Sequence, residues 1–266
     1  MTAEHSPSRL SHWDAHRLAD WLAGGDRVAI IPVGALEQHG PHLPLGTDAI
    51  LSETIAAEVA TTIGGVATPP FAFGYKSQQK SGGGDHLVGS TSLDAATLVA
   101  IVQDVVRSLL RQGFTRLVFL NGHYENYQFL YEGVDLALRE AGIGPADPRC
   151  VLLLSYWDYV SQQTLDTIYG DSFPGWDVEH GGVLETSLML HLHPELVAMD
   201  RAQHHPPAEL PRFDRLPIVP ERTPASGCLS APDGACAEYG QLLFDQVVRD
   251  IADDLVGEFS GKPALR

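Results

Sequence analysis

Three short stretches hold the residue types that bind metals or move protons. "VGALEQHGPHLPLGTD" (33–48) carries Glu37, His39, His42 and Asp48, and "NGHYEN" (121–126) carries His123 and Glu125. "GWDVEHGGVLETS" (175–187) carries Trp176, Asp177, Glu179, His180 and Glu185. One residue separates Glu37 from His39, and His123 from Glu125, so on extended backbone both members of each pair face the same way. A lone loop histidine is ordinarily solvated or hydrogen-bonded. Two such pairs, each just after an apolar run, ask for a ligand. Glu37, His39, Asp48, His123 and Glu125 suit zinc or manganese and exceed what one zinc needs. Five donors fit two divalent ions about 3.5–4 Å apart that share one carboxylate, and Asp48, at a loop-to-helix junction, is the expected bridge. His42 lies close enough to be an alternative ligand, but Pro41 and Pro44 around it favour a role in shaping the loop.

In the third stretch, a histidine beside carboxylates suits proton transfer near neutral pH. Trp157 and Trp176 offer faces for a flat or cationic group, or else serve as half-buried anchors. A fourth loop, "YKSQQKSGGGDH" (75–86), has three consecutive glycines that allow flexible backbone or close approach to a ligand. It lacks the GK[ST] pattern of a phosphate loop.

These loops need elements to hold them. Val28–Val33, the run from Arg116 and the run from Cys150 read as buried strands. Residues 49–62 read as a helix with Thr47 or Asp48 as N-cap and Gly64 as stop. Residues 92–112, stopped by Gly113, and 126–141, 184–192 and 236–258 read as further helices. Strands alternating with helices predict an α/β domain with a mainly parallel sheet covered on both faces, a three-layer α/β/α sandwich. In such sheets ligands sit beyond the carboxyl ends of the strands, where the polar clusters fall. Residues 201–235, rich in proline and turn formers, read as a long surface excursion and not as a separate domain.

The 266 residues, 44% hydrophobic, suffice for one large domain, taken as 1–266, or two small ones. A net charge of −17 argues against nucleic acid and anionic membranes as partners. No stretch approaches the roughly 18–20 apolar residues of a membrane helix, and "MTAEHSPSRLSHWD" has no leader pattern. The expectation is a cytoplasmic protein. Cys150, Cys228 and Cys236 lack CxxC spacing and read as incidental thiols.

With these clusters in place, the chain resembles the creatininase (creatinine amidohydrolase) family. The matching stretches are "PVGALEQHG" (32–40), "GYKSQQKSGGG" (74–84), "NGHYEN" (121–126), "LSYWD" (154–158) and "GWDVEHGGVLETSLML" (175–190). The second and last look specific to creatininases proper. The loop 40–47 departs from the family's more hydrophobic, proline-poor version. The resemblance implies a single α/β domain assembled as a homohexamer, with two divalent ions per chain, Zn and/or Mn. One ion falls to Glu37, Asp48 and His123, the other to His39, Asp48 and Glu125. Substrate contacts fall to Ser81, Tyr124, Trp176, Asp177 and His180, with Trp157 as a gating aromatic.

The implied reaction is hydrolysis of the cyclic amide creatinine to creatine by metal-activated water. His180, with Glu125 next in line, would carry the proton to the leaving ring nitrogen. Two other readings are a metal-dependent amidase of the same superfamily acting on a different small amide or peptide, and a metal-binding scaffold without catalysis.

Overall fold

The structure, a computed structural model, describes residues 8–261. The first seven residues of the N-terminal stretch read above lie outside that range. Four strands form one sheet: β1 (Val28–Val33), β2 (Val66–Ala67), β3 (Arg116–Asn121) and β4 (Cys150–Ser155), in the order β2-β1-β3-β4 and all parallel. Among the described residues seven α-helices accompany them: α1 (Ala15–Leu22), α2 (Thr47–Ile63), α3 (Ala95–Gln112), α4 (Tyr127–Glu140), α5 (Gln162–Tyr169), α6 (Val183–Leu192) and α7 (Ala237–Phe259).

β1 is buried along its whole length, as its unbroken apolar run requires of a central parallel strand. Its side chains alternate between two cores. Ile30 joins Val118 and Leu120 in a core shared with Leu51 and Ile55 of α2 and Leu243, Val247 and Ile251 of α7. Ile31 and Val33 join Leu117 and Phe119 in the opposite core, against Leu98 and Val102 of α3 and Leu130 of α4. Truncating any of the fully buried isoleucines to alanine costs about 2–5 kcal/mol, because no neighbour can fill the gap completely. The expected three layers are therefore present, with helices on both faces.

All three strand expectations match. The helix expectations match within a few residues, with α3 starting at Ala95 and α2 already at Thr47. Neither Thr47 nor Asp48 is the cap of α2: Gly46 is, and Asp48 lies inside the first turn. Gly64 and Gly113 end their helices in the left-handed region, at φ 69° and 106°. The short β2, α1 and α5 were not anticipated.

Register positions the site. Val33 pairs with Asn121, and Asn121 with Ser155. β1, β3 and β4 thus end level, and the loops that follow them leave from one edge. Residues 201–235 contain no α-helix or strand, yet the surface excursion expected there is only part of the picture. Gly227, Cys228, Leu229 and Ser230 are buried. This return segment is tied inward by the Leu229 amide, which donates to the His180 carbonyl at 3.0 Å, and by the Gly227 carbonyl, which accepts from Gln38 Nε2 at 2.8 Å.

Candidate metal centre

The first residues beyond β1 and β3 include glycines because α2 comes very close. A Cβ on Gly34 would lie 2.3 Å from the Ala49 amide nitrogen, and one on Gly122 would lie 2.8 Å from the Asp48 carbonyl. Without those side chains, the first turn of α2 inserts between the two loops and delivers Asp48 to them. A carboxylate there also benefits from the positive end of the helix dipole. Asn126 fastens the same region. Its Oδ1 accepts from the Tyr75 amide at 2.7 Å, and its Nδ2 donates to the Gly34 carbonyl at 3.0 Å. Asn126 lies within the NGHYEN motif, but its residue type alone signals no such role.

Glu37, His39, Asp48, His123 and His180 are all buried and converge. Asp48 faces His39 Nε2 through Oδ1 (2.9 Å) and His123 Nδ1 through Oδ2 (3.1 Å). Glu37 Oε1 lies 3.5 Å from His123 Nδ1, 3.4 Å from His180 Nδ1 and 3.7 Å from His39 Nε2. Each imidazole spends its other nitrogen on a backbone carbonyl: His39 Nδ1 on Glu37 (3.2 Å), His123 Nε2 on Tyr75 (3.0 Å) and His180 Nε2 on Gln38 (2.9 Å). Such carbonyl bonds fix ring orientation and leave one lone pair aimed inward, as metal-binding histidines require.

The donor set fits divalent metal on an independent observation. Glu37 Oε2, His39 Nε2 and Asp48 Oδ2 are buried and have no hydrogen-bond partner of good geometry. Unsatisfied buried polar atoms of this kind are costly unless a cation supplies the partner. Among the described residues, three groups have donor atoms close enough to share an ion: Glu37–Asp48–His123, His39–Asp48–Glu185 and Glu37–His39–His180. The first matches expectation. His180, expected outside the metal cluster, faces it.

The expected triplet His39–Asp48–Glu125 is not brought together. Residues 124–126 form a 3-10 turn, not the extended backbone on which the pairing argument rested. The Glu125 carboxylate is turned away from Asp48. Its Oε1 accepts from the Gln78 amide (2.7 Å) and Ser81 Oγ (2.5 Å), and its Oε2 lies 3.3 Å from His123 Nε2. Glu185 stands in its place, with Oε1 3.6 Å from His39 Nε2. Glu185 is visible in the third stretch, but nothing along the chain marks it as a partner of His39.

The electrostatics follow from this crowding. Burial pushes the Glu37 and Asp48 carboxyls up, but the neighbouring imidazoles outweigh it and hold both below their ordinary values. Burial lowers the His39 and His123 imidazoles, and the surrounding carboxylates more than reverse that. Glu125, with burial dominating, is raised. His42 accepts no place among the donors. It is buried, its Nε2 meets Thr186 Oγ1 at 2.9 Å, and burial together with His39 lowers it to about 4. Burial lifts the Cys228 thiol to about 12, which leaves it inert at neutral pH.

Above the cluster, Ser81, Tyr124, Trp157, Trp176 and Asp177 line one cavity of about 70 Å³. Glu37, Asp48, His123, Glu125 and His180 line it as well. Tyr124 and Trp176 stand at its mouth, 60% and 40% exposed. The Trp157 ring packs near Tyr124 and edge-on against Tyr156, at 6.4 and 5.2 Å between centroids. Trp176 packs edge-on against Phe173 at 5.2 Å.

A three-layer α/β fold with a buried carboxylate–imidazole cluster at the carboxyl edge of its sheet, under an aromatic-rimmed cavity, defines an α/β metalloenzyme of the hydrolytic kind. The chain belongs to the creatininase family, whose model, described as creatinine amidohydrolase, matches residues 12–255. It is 50% identical over 239 residues to a creatinine amidohydrolase of Pseudomonas putida, covering 90% of this chain and 92% of that one. It is 32% identical to a mycofactocin precursor peptide peptidase of Mycobacterium ulcerans, over 83% and 81% of the two chains. A solved manganese creatininase superposes with a TM-score of 0.93 at 47% identity, over 96% of this chain and 99% of that one. A mutant creatininase complexed with creatine superposes at 0.92, with 46% identity over 96% and 99% of the two chains.

Proposed function

We propose that this protein is a creatinine amidohydrolase, opening the ring of creatinine with water to give creatine. The observation that carries the reading is the 50% identity to the Pseudomonas putida enzyme over nearly the whole of both chains. Two divalent ions per chain, zinc or manganese, belong to the proposal. Glu37, Asp48 and His123 would hold one, and His39, Asp48 and Glu185 the other, with Asp48 shared. Glu185 takes the place first given to Glu125. Related creatininases of zinc–zinc and manganese type support the choice of metals. When bound, such a pair supplies Lewis acidity that makes water nucleophilic at neutral pH and polarises an amide carbonyl.

The chain's own residues do the rest. Trp176 and Trp157 flank the planar ring and exclude water, Asp177 and Ser81 accept from or donate to its polar edge, and Tyr124 closes the mouth. Glu125 is held by Ser81 and the Gln78 amide beside His123, where it can take a proton from the attacking water. His180 keeps Nε2 on the Gln38 carbonyl, so Nδ1, through its lone pair, is the atom that would receive that proton from Glu125 and pass it to the leaving ring nitrogen, which returns both residues to their starting states.

Purified protein loaded with Zn²⁺ or Mn²⁺ should release creatine from creatinine. A panel containing small linear amides and peptides separates this reading from that of the peptidase relatives. Turnover of peptides without turnover of creatinine would overturn it. Three further parts of the proposal are a single domain spanning the chain, a homohexamer and a cytoplasmic location. The first two rest on the family resemblance and the third on the sequence reading, and limited proteolysis, light scattering and cell fractionation test them. No helix among the described residues is long and apolar enough to cross a membrane.

A further inference from the structure

α6 carries Glu185 in its first turn, yet its own N-cap position is Gly182, which has no side chain to satisfy the exposed amides. The missing acceptor comes from outside the helix. Glu179 Oε1 accepts from the Leu184 amide at 2.6 Å and from Tyr169 Oη at 3.0 Å. Gly182 makes room for it, since a Cβ there would lie 2.7 Å from Glu179 Oε1. Tyr169 is the last residue of α5 and packs against Phe173 at 5.1 Å. Glu185 itself is aimed by a second bond: its Oε2 accepts from the Gly181 amide at 2.7 Å, which leaves Oε1 toward His39. Glu179 lines the cavity but falls in none of the three groups able to share an ion.

We propose that Glu179 and Tyr169 are positioning residues, which brace the first turn of α6 against α5 and so hold Glu185 at the distance from His39 and Asp48 that the second ion needs. This rests on the reading of Glu185 as a ligand. The brace needs an acceptor oxygen at residue 179, not a charge, because both of its bonds are donated to Oε1. Partners of this outer kind typically change metal affinity about 10–100-fold when removed.

The test is chelator competition with Zn²⁺ on the purified chain, with elemental analysis, for Glu179→Ala, Glu179→Gln, Tyr169→Phe and Glu185→Ala. Glu185→Ala should lose one ion. Glu179→Ala should weaken that same ion about 10–100-fold and leave the other within about threefold. Glu179→Gln, whose amide oxygen accepts both bonds, should keep both ions within about threefold, and Tyr169→Phe should weaken the second ion about three- to tenfold. Glu179→Ala with both affinities unchanged overturns the brace, and so does Glu179→Gln failing as badly as Glu179→Ala. Should Glu179→Ala not fold, an unchanged second ion in Tyr169→Phe overturns it alone. If Glu185→Ala keeps both ions, the ligand assignment itself fails and the brace falls with it. If Glu185→Ala loses one while Glu179→Ala keeps both, only the brace fails.

Discussion

The carboxylate of Asp48 meets the imidazole of His39 at 2.9 Å through Oδ1 alone, and its other oxygen turns to His123. One residue therefore faces both halves of the cluster. Asp48→Ala should lose both ions together, by elemental analysis of metal-replete, folded protein. Loss of a single ion would move the bridge to Glu37, the other carboxylate in contact with more than one imidazole.

The two carboxylates that could complete the second ion should separate cleanly. Glu185→Ala should bind one ion fewer. Glu125→Gln should keep the full complement while turnover falls about 10²–10⁴-fold, the usual loss on removing a general acid-base group. His180→Ala should behave like Glu125→Gln. A Glu125→Gln protein deficient in metal would return that residue to the ligand set.

In the metal-free chain, the folded-state pKa values of His39 and His123 lie well above 6.5. Their contribution to stability is fully present below pH 6.5 and is lost as pH rises through the raised values. Glu37 and Asp48 are depressed, so theirs is present above their ordinary values of 4.5 and 3.8 and is lost as pH falls. The Tm of chelated protein should accordingly drop as pH rises above 6.5. Metal-loaded protein should hold its Tm over the same rise in pH, because the ions replace the protons. A flat profile for the chelated form would mean that His39 and His123 are not raised by their carboxylate neighbours.

Trp176→Ala should weaken catalysis on creatinine at least about tenfold, since lost stacking and contact area together reach about 1.4 kcal/mol, one decade in rate. Trp157→Phe should be milder, because an aromatic face survives. A lowered Tm with unchanged kcat/KM would make both structural anchors.

Gly133 sits in α4 where α3 crosses it. Alanine there would gain about 0.5–1 kcal/mol of helix propensity. Its Cβ would lie 2.7 Å from Val102 Cβ and 3.0 Å from the Val99 carbonyl, and that carbonyl belongs to backbone that cannot rotate away. Overpacking costs about 1–3 kcal/mol, so Gly133→Ala should lose stability on balance, with a Tm lower by a few degrees. A raised Tm would mean the helices can separate freely.

Much of this was legible along the chain. Unbroken apolar runs determined β1, β3 and β4, helical spacing determined α3 and α7, and their alternation determined the parallel sheet. Glu37, His39 and His123 stood out because each lies just beyond a strand end, where sequence order and spatial order agree, and Asp48 because it stands where the following loop meets a helix. Glu125 and Glu185 show where that agreement stops. Spacing places Glu125 beside His123 only if the backbone is extended, and a 3-10 turn held by Ser81 and Gln78 rotates its carboxylate away. Glu185 is far from His39 in sequence and reaches it because α6 packs against α2, the helix that carries Asp48. The buried return at 227–230 was hidden for a similar reason: its residues are bonded to Gln38 and His180, which lie in distant segments. Local sequence determines elements through periodicity, because side-chain direction repeats with the backbone. Which carboxylate meets which imidazole is decided only when separate loops converge, because that depends on rotations and long-range hydrogen bonds that no spacing records.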